Sequence, residues 1–290
     1  MLAILIMETI KKVSVHGGHT GEFCLHAEDT LKAVIEKYIR EKFFWIGITE
    51  HCPPLNDKLR YPEEAKAGIS AMSLKKKFRK YIAAVNDLKS RYACRIKIFT
   101  AFETEAYDGY IDYTRELIKT HRPDYIVGSV HHINNLCFDY SREIYYKTAA
   151  SLGSLDIMYE KYFDKQYELI INLKPAVVGH FDLIRIFDQE YEKRIRKKSI
   201  WKRVVRNLMA CRDNSLILDF NTRALKKGAK EPYVSSTVLE KAKKLGVKIV
   251  PGDDSHGVKD IGTHIKQGIT ILDKAGFDTD WPLPEIYSYT

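Results

Sequence analysis

The sequence lacks any run of eighteen or more apolar residues, so none of it is written to cross a bilayer as a helix. The opening MLAILIMETI is apolar, but no basic stretch precedes it and no small-residue cleavage pattern follows. It reads as sequence upstream of Met7 and not as a signal peptide. Cysteine is scarce: Cys24, Cys52, Cys94, Cys137 and Cys211 are scattered over 290 residues without a close pair. That dispersal excludes a disulfide framework and a CxxC zinc site, and it points to free thiols in a reducing, cytoplasmic compartment. There is no internal repeat, no low-complexity tract and no linker rich in Gly, Ser or Pro, so nothing marks a domain boundary. The chain reads as one domain over 1–290, with 1–12 an N-terminal extension.

The net charge of +9 would favour anionic partners, yet the Lys and Arg lie on helix-like stretches such as 74–80 and 192–206. Those are solvated faces. No aromatic-and-basic reader motif accompanies the charge, so nucleic acid is not selected as a partner. The sequence specifies no oligomeric state.

What is present is an alternation of short β-branched apolar runs with long amphipathic ones. The short runs are 13–15, 45–49, 96–102, 125–130, 176–178, 216–220 and 247–250, seven in all. Continuous apolarity suits strands covered on both faces, as in a parallel sheet. Helices are expected over 30–40, capped by Asp29 or Thr30, over 73–92, over 143–172 with a break near Gly153, over 194–212 and over 235–245. The stretch 56–70, with Pro62 and Gly68, reads as a loop. The layout predicts an α/β fold, a distorted seven-stranded β/α barrel.

Every expected strand carries polar residues at its C-terminal end, where a β/α barrel builds its active site. In order these are His16 and His19; Thr49, Glu50 and His51; Glu103 to Glu105; Ser129, His131 and His132; His180 to Asp182; Asp219 to Arg223; and Asp253 to His256. His26 follows the first strand end closely. Imidazoles plus a few carboxylates, with no Cys cluster, suit Zn, Mn or Fe better than Ca or Mg. Eight or nine such donors are too many for one ion and enough for two or three that share a bridging carboxylate. A multinuclear site of that kind lowers the pKa of a shared water and clamps the oxygens of a phosphoryl transfer, so a small phosphate ester is the expected substrate. Cys24 and Cys52, each near a histidine, read as small buried thiols, and His121 and His264 as surface residues.

The segments HGGHTGEFCLHA (16–27), GITEHCP (47–53), FETEAY (102–107), GSVHHI (128–133), VVGHFDLIR (177–185), LDFNTRALKKG (218–228) and PGDDSH (251–256) resemble, in order, those of the PHP metallophosphoesterases. The VVGHFDLIR and FNTR segments are particularly similar to the histidinol-phosphatase branch. The resemblance implies a trinuclear centre held by His19, His26, His51, Glu103, His131, His180, Asp254 and His256, with Glu103 as bridge. It also implies that Arg185 and Arg223 face the phosphate, and His132 or His180 would protonate the leaving alkoxide. Two departures stand out. The family opens with His-x-His, whereas here Gly17 stands two residues before His19, which leaves open whether His16 is a ligand. Asp253 replaces a small residue, which leaves open which of Asp253 and Asp254 binds metal. The activity expected is hydrolysis of histidinol phosphate in histidine biosynthesis. The competing readings are a PHP phosphodiesterase or nucleotidase and a metal-binding scaffold without catalysis. The leaving-group pocket is expected in 55–71 and 134–146.

Overall fold

Each of the seven apolar runs forms a strand of one parallel sheet in the computed structural model, which describes residues 10–289. The strands are β1 (Lys12–Ser14), β2 (Phe43–His51), β3 (Lys97–Glu103) and β4 (Tyr125–Gly128); the short hairpin β5 (His132–Ile133) and β6 (Leu136–Cys137); then β7 (Val177–Val178), β8 (Ile217–Asn221) and β9 (Lys248–Gly252). The parallel sheet runs β1-β2-β3-β4-β7-β8-β9, so successive strands of the barrel are neighbours. β9 returns to β1: the Val15 N–H donates to the Pro251 carbonyl (3.0 Å), and the Asp253 and Asp254 N–H groups donate to the His16 carbonyl (3.1 and 2.9 Å). The result is the nearly closed, distorted barrel that the alternation predicts.

Inside, the Tyr125 hydroxyl crosses from β4 and donates to the Val15 carbonyl (2.6 Å). Gly47 on β2 makes room for it, since a Cβ there would overlap that hydroxyl. Outside lie the helices α1 (Leu31–Arg40), α2 (Pro62–Lys66), α3 (Ala71–Arg91), α4 (Tyr110–His121), α5 (Arg142–Ser151), α6 (Leu155–Leu173), α7 (Tyr191–Ile195), α8 (Lys198–Asp213), α9 (Arg223–Lys226), α10 (Ser236–Leu245) and α11 (Ile265–Lys274). Thr30 caps α1 through the Ala33 N–H, and Gly153 (φ 98°) separates α5 from α6 at the expected break. One continuous apolar cluster reaches from Val13 to Trp281. No described helix is long and apolar enough to cross a membrane.

Three features depart from the sequence reading. α4, α11 and the four-residue α9 were not anticipated; α4 starts after Gly109 and α11 after His264, neither with a side-chain cap hydrogen bond. The stretch 56–70 is not plain loop but holds a 3-10 turn at Asp57–Leu59 and α2, whose first residue is Pro62. Most of the extension expected over 1–12 lies outside the described residues, but its last part belongs to the fold. Ile10 packs on the core, the Lys11 carbonyl accepts from the Trp281 indole (2.8 Å) and Lys12 opens β1.

Candidate metal centre

The parallel register places the strand-end side chains side by side. His51 is paired with Glu103 across β2 and β3, and Asn221 with Gly252 across β8 and β9. Two of the rim residues, His180 (φ 23°) and Asp254 (φ 42°), hold the left-handed backbone region that non-glycine residues avoid. Such strain costs about 1–3 kcal/mol and persists where the surroundings demand one side-chain direction.

All nine residues expected as ligands converge at the rim. Their donor atoms fall into overlapping groups: His19, His26, His51 and His256; His16, His19 and Glu103; His16, His180 and Asp254; and Glu103, His131 and His180. Glu103 lies between the groups. Its Oε1 is 2.9 Å from His180 Nε2 and 3.4 Å from His131 Nε2, while its Oε2 is 3.5 Å from His16 Nε2 and 4.0 Å from His19 Nε2. One carboxylate whose two oxygens face different imidazole pairs has the geometry of a bridge.

The donors fit divalent ions by their unmet bonding as well as their type. His16 Nε2, His19 Nε2 and Asp254 Oδ1 are buried and make no well-directed hydrogen bond, although the last two lie 3.1 Å apart; this is costly unless something else binds them. Several rings are also held from behind, as metal-ligating histidines are. Asp219 Oδ2 is 2.9 Å from His16 Nδ1, Glu50 Oε1 is 3.3 Å from His19 Nδ1, and Glu63 Oε1 is 3.4 Å from His26 Nδ1. Burial opposes charge on His16, but Glu103, Asp254 and Asp219 raise its pKa well above the ordinary value. Glu103 is held well below its ordinary value against burial by His16, His131 and His51. Burial, His19 and Arg223 keep His256 neutral, the form that binds metal.

The two open points of the sequence have geometric answers. Gly17 lies against β2, where a Cβ would overlap the Gly47 carbonyl oxygen, so no histidine fits there. His16, fully buried, turns its ring into the cluster instead. Of the paired aspartates, Asp253 points away: its Oδ1 accepts from Ser14 (2.6 Å) and Tyr38 (2.8 Å), and burial pushes its pKa up to about 6. Asp254 faces the histidines, with Oδ1 3.1 Å from His19 Nε2.

A cavity of about 250 Å³ opens over the cluster, lined by Tyr61, Glu63, Asp139, Tyr140, Arg223 and Lys227 besides the ligand set. Tyr61 and Glu63 come from the 55–71 stretch and Asp139 and Tyr140 from the 134–146 stretch, the two expected to form the leaving-group pocket. Arg223 is anchored by Nη1 to the Asp254 carbonyl (3.0 Å) and lies 3.4 Å from Asp260. Arg185 is placed differently from its expected role. Its Nη2 donates to the Glu231 and Pro232 carbonyls (3.0 and 2.6 Å), its guanidinium lies between the Tyr191 and Tyr233 rings, and it lines an adjoining cavity of about 540 Å³. Both bonds use Nη2 and hold the 231–233 segment, while Nε lies 3.4 Å from Asp182 and is buried without a hydrogen-bond partner. His132 is also misplaced for a proton donor, because it is buried in β5 behind Glu105 and lines a separate small cavity with Cys24 and Cys52. Burial raises both thiols, all five cysteines are free, and His121 and His264 are half-buried outside the site.

Sequence reasoning passed over Glu50, Glu105 and Asp219 as site residues, although strand periodicity carried the signal: Glu105 shares the parity of Glu103, and Asp219 that of Asn221. Glu63 sits in the five-residue α2, and Asp139 and Lys227 on turns, all too short for a period to mark them.

The PHP domain family matches residues 17–223. A Schizosaccharomyces pombe protein named as a probable histidinol-phosphatase is 35% identical over 91% of this chain and 87% of its own. The Saccharomyces cerevisiae histidinol-phosphatase is 32% identical over 85% of this chain and 84% of its own. Among solved structures, the HisK of Listeria monocytogenes superimposes with a TM-score of 0.78 at 26% identity, covering 88% of this chain and 99% of that one.

Proposed function

The chain belongs to the PHP family, in its histidinol-phosphatase branch, and from that premise we propose that it is a metal-dependent phosphomonoesterase hydrolysing L-histidinol phosphate to L-histidinol and inorganic phosphate. The observation that carries the reading is the convergence of nine candidate ligands beneath a cavity whose wall holds both cations and carboxylates. Two or three divalent ions, Zn, Mn or Fe, would supply a nucleophilic water of lowered pKa and neutralise charge on the phosphoryl group.

The chain's own residues divide the remaining work. His16, His19, His26, His51, His131, His180 and His256, with Glu103 and Asp254, hold the ions. Arg223, fixed at Nη1, offers its remaining donors to the phosphate oxygens, and Lys227 beside it adds a second positive charge to the cavity wall. Glu63 and Asp139 suit a leaving group that carries an amine and an imidazole. Tyr61, Tyr140 and Tyr233 narrow the cavity and limit bulk water. Free thiols and the biosynthetic reaction agree with a cytoplasmic site of action.

The test is phosphate release from histidinol phosphate by chain stripped of metal and then resupplied with Mn or Zn, with a nucleotide bisphosphate as the competing substrate. Activity surviving complete chelation would sink the metal-dependent reading, and preference for the bisphosphate would replace the substrate.

A further inference from the structure

We infer that Glu105 is the shared positioning carboxylate of two neighbouring ion positions: it holds the Nδ1–H form of both His51 and His131, and so turns their Nε2 atoms toward two different groups of donors. The inference rests on the reading of this cluster as a metal centre, not on the identity of the substrate.

Glu105 is buried two residues beyond Glu103, just past the end of β3. Its Oε1 is 2.9 Å from His51 Nδ1 and accepts from the Tyr61 hydroxyl at 2.7 Å. Its Oε2 is 2.9 Å from His131 Nδ1 and 3.4 Å from His132 Nδ1. A carboxylate has about four lone-pair sites, and here three of them accept hydrogen bonds, while His132 Nδ1 lies nearby without bonding. Both Glu105 oxygens are thus already engaged by rings or a hydroxyl, which favours a positioning role over ligation although it lies within reach of an ion shared with His51 and His131. Glu103 Oε2 also approaches His51 Nδ1, at 3.3 Å, but Glu105 is nearer and takes the proton.

An imidazole whose Nδ1 donates keeps its lone pair at Nε2. For His131 that atom lies 3.4 Å from Glu103 Oε1 and 3.3 Å from His180 Nε2, within the group Glu103, His131 and His180. His51 belongs to the other group, with His19, His26 and His256. These two groups have no residue in common, yet one member of each is held by the same carboxylate. Asp219, Glu50 and Glu63 each hold a single ring, so Glu105 alone among the described carboxylates couples two positions in this way. Tyr61 carries the coupling to the segment ahead of α2, since its ring also packs against His26 and His51.

The experiment has two readouts, neither of which uses substrate. In zinc-loaded protein labelled with 15N-histidine, long-range 1H–15N spectra should show His51 and His131 protonated at Nδ1 and metal-bound at Nε2. The reverse pattern, with Nε2 protonated, would make Glu105 a ligand and overturn the inference. Metal retained during dialysis against graded chelator gives the second readout. Glu105→Ala should release the ions at the His51 and His131 positions at chelator strengths about 10–100-fold below those that strip the wild type, while any ion held without those two rings is kept. Glu105→Gln, which preserves size and a single acceptor oxygen, can still hold one ring and should loosen at least one ion. It also stands in should the alanine variant fail to fold. Retention equal to wild type in the variants overturns the inference. A wild-type chain that binds no metal overturns both this inference and the metal-centre reading beneath it.

Discussion

Substituting His16 by alanine isolates the residue that the altered first motif put in question. Its ring is fully buried, with Nδ1 2.9 Å from Asp219 and Nε2 3.5 Å from Glu103, and Asp254 shares one of its donor groups. Removing one partner of a buried ion pair costs about 3–5 kcal/mol. Asp219 would keep the Asn221 side-chain amide (2.9 Å) and the His180 N–H (3.3 Å), so the lower end, about 3 kcal/mol, applies. In a chain of this length that lowers Tm by roughly 6 °C in the metal-free protein. The pH window follows from the sign of the shift: the folded pKa of His16 is raised, so its stabilisation is complete below the unfolded value of about 6.5 and fades as pH climbs through the folded one. The deficit should therefore be larger at pH 6 than at pH 9. With zinc added, a lost ligand should weaken retention at that position by more than the roughly 100-fold upper limit of an outer-shell change. Calorimetry with and without zinc, and elemental analysis after dialysis, measure both effects. Gly17→Ala is the companion variant, because its Cβ overlaps the Gly47 carbonyl oxygen and must move the backbone that aims His16. If His16→Ala keeps wild-type metal content and activity, His16 is a packed core residue, Gly17 marks a lost ligand, and the reasoning fails.

Arg223→Ala should lower kcat/KM by about 10²–10³ through lost charge stabilisation while metal content stays at wild type; unchanged kinetics would remove Arg223 from the phosphate site. Arg185→Met should cost about 2–4 kcal/mol in urea unfolding, because the Glu231 and Pro232 carbonyls lose their donor, and should leave kcat/KM of the folded chain within about threefold. A large loss of kcat in a stable Arg185→Met protein would restore its direct role at the phosphate. His132→Gln should keep kcat within about tenfold, whereas loss of a general acid would cost about 10²–10⁴. Burial opposes it, but Glu105 and Glu103 raise His131 to about 10 in the metal-free chain, so an ion must displace its proton at pH 8. Zinc titrations in two buffers of different ionisation enthalpy should show at least one proton released per chain, with apparent affinity rising about tenfold per pH unit for each; zero release would contradict the assigned charge states.

The barrel and the convergence of candidate ligands at its rim were legible because both depend on local pattern. Continuous apolar runs marked all seven barrel strands, and the polar residue at the end of each run falls on the rim whatever the exact twist. α4 and α11 were not anticipated, and a missing side-chain cap does not account for it, since α8 and α10 begin without one as well. Arg185 and His132 stand beside rim residues in sequence, yet Arg185 lines an adjoining cavity and His132 a small one beside Cys24 and Cys52, a difference that no local period specifies.

By itself, then, the order of residues determined which side chains reach the rim and what chemistry they carry, since strand period and strand polarity are properties of the chain. Only the tertiary structure decided that the His16 ring turns into the cluster while Gly17 lies against β2, that Asp254 and not Asp253 faces the cluster, and that one buried glutamate lies against two rings. Those outcomes depend on overlap with a carbonyl on the neighbouring strand, on hydrogen bonds spanning 239 and 215 residues of sequence, and on the meeting of β2, β3 and the β4–β5 junction around Glu105. No local period encodes a contact of that range.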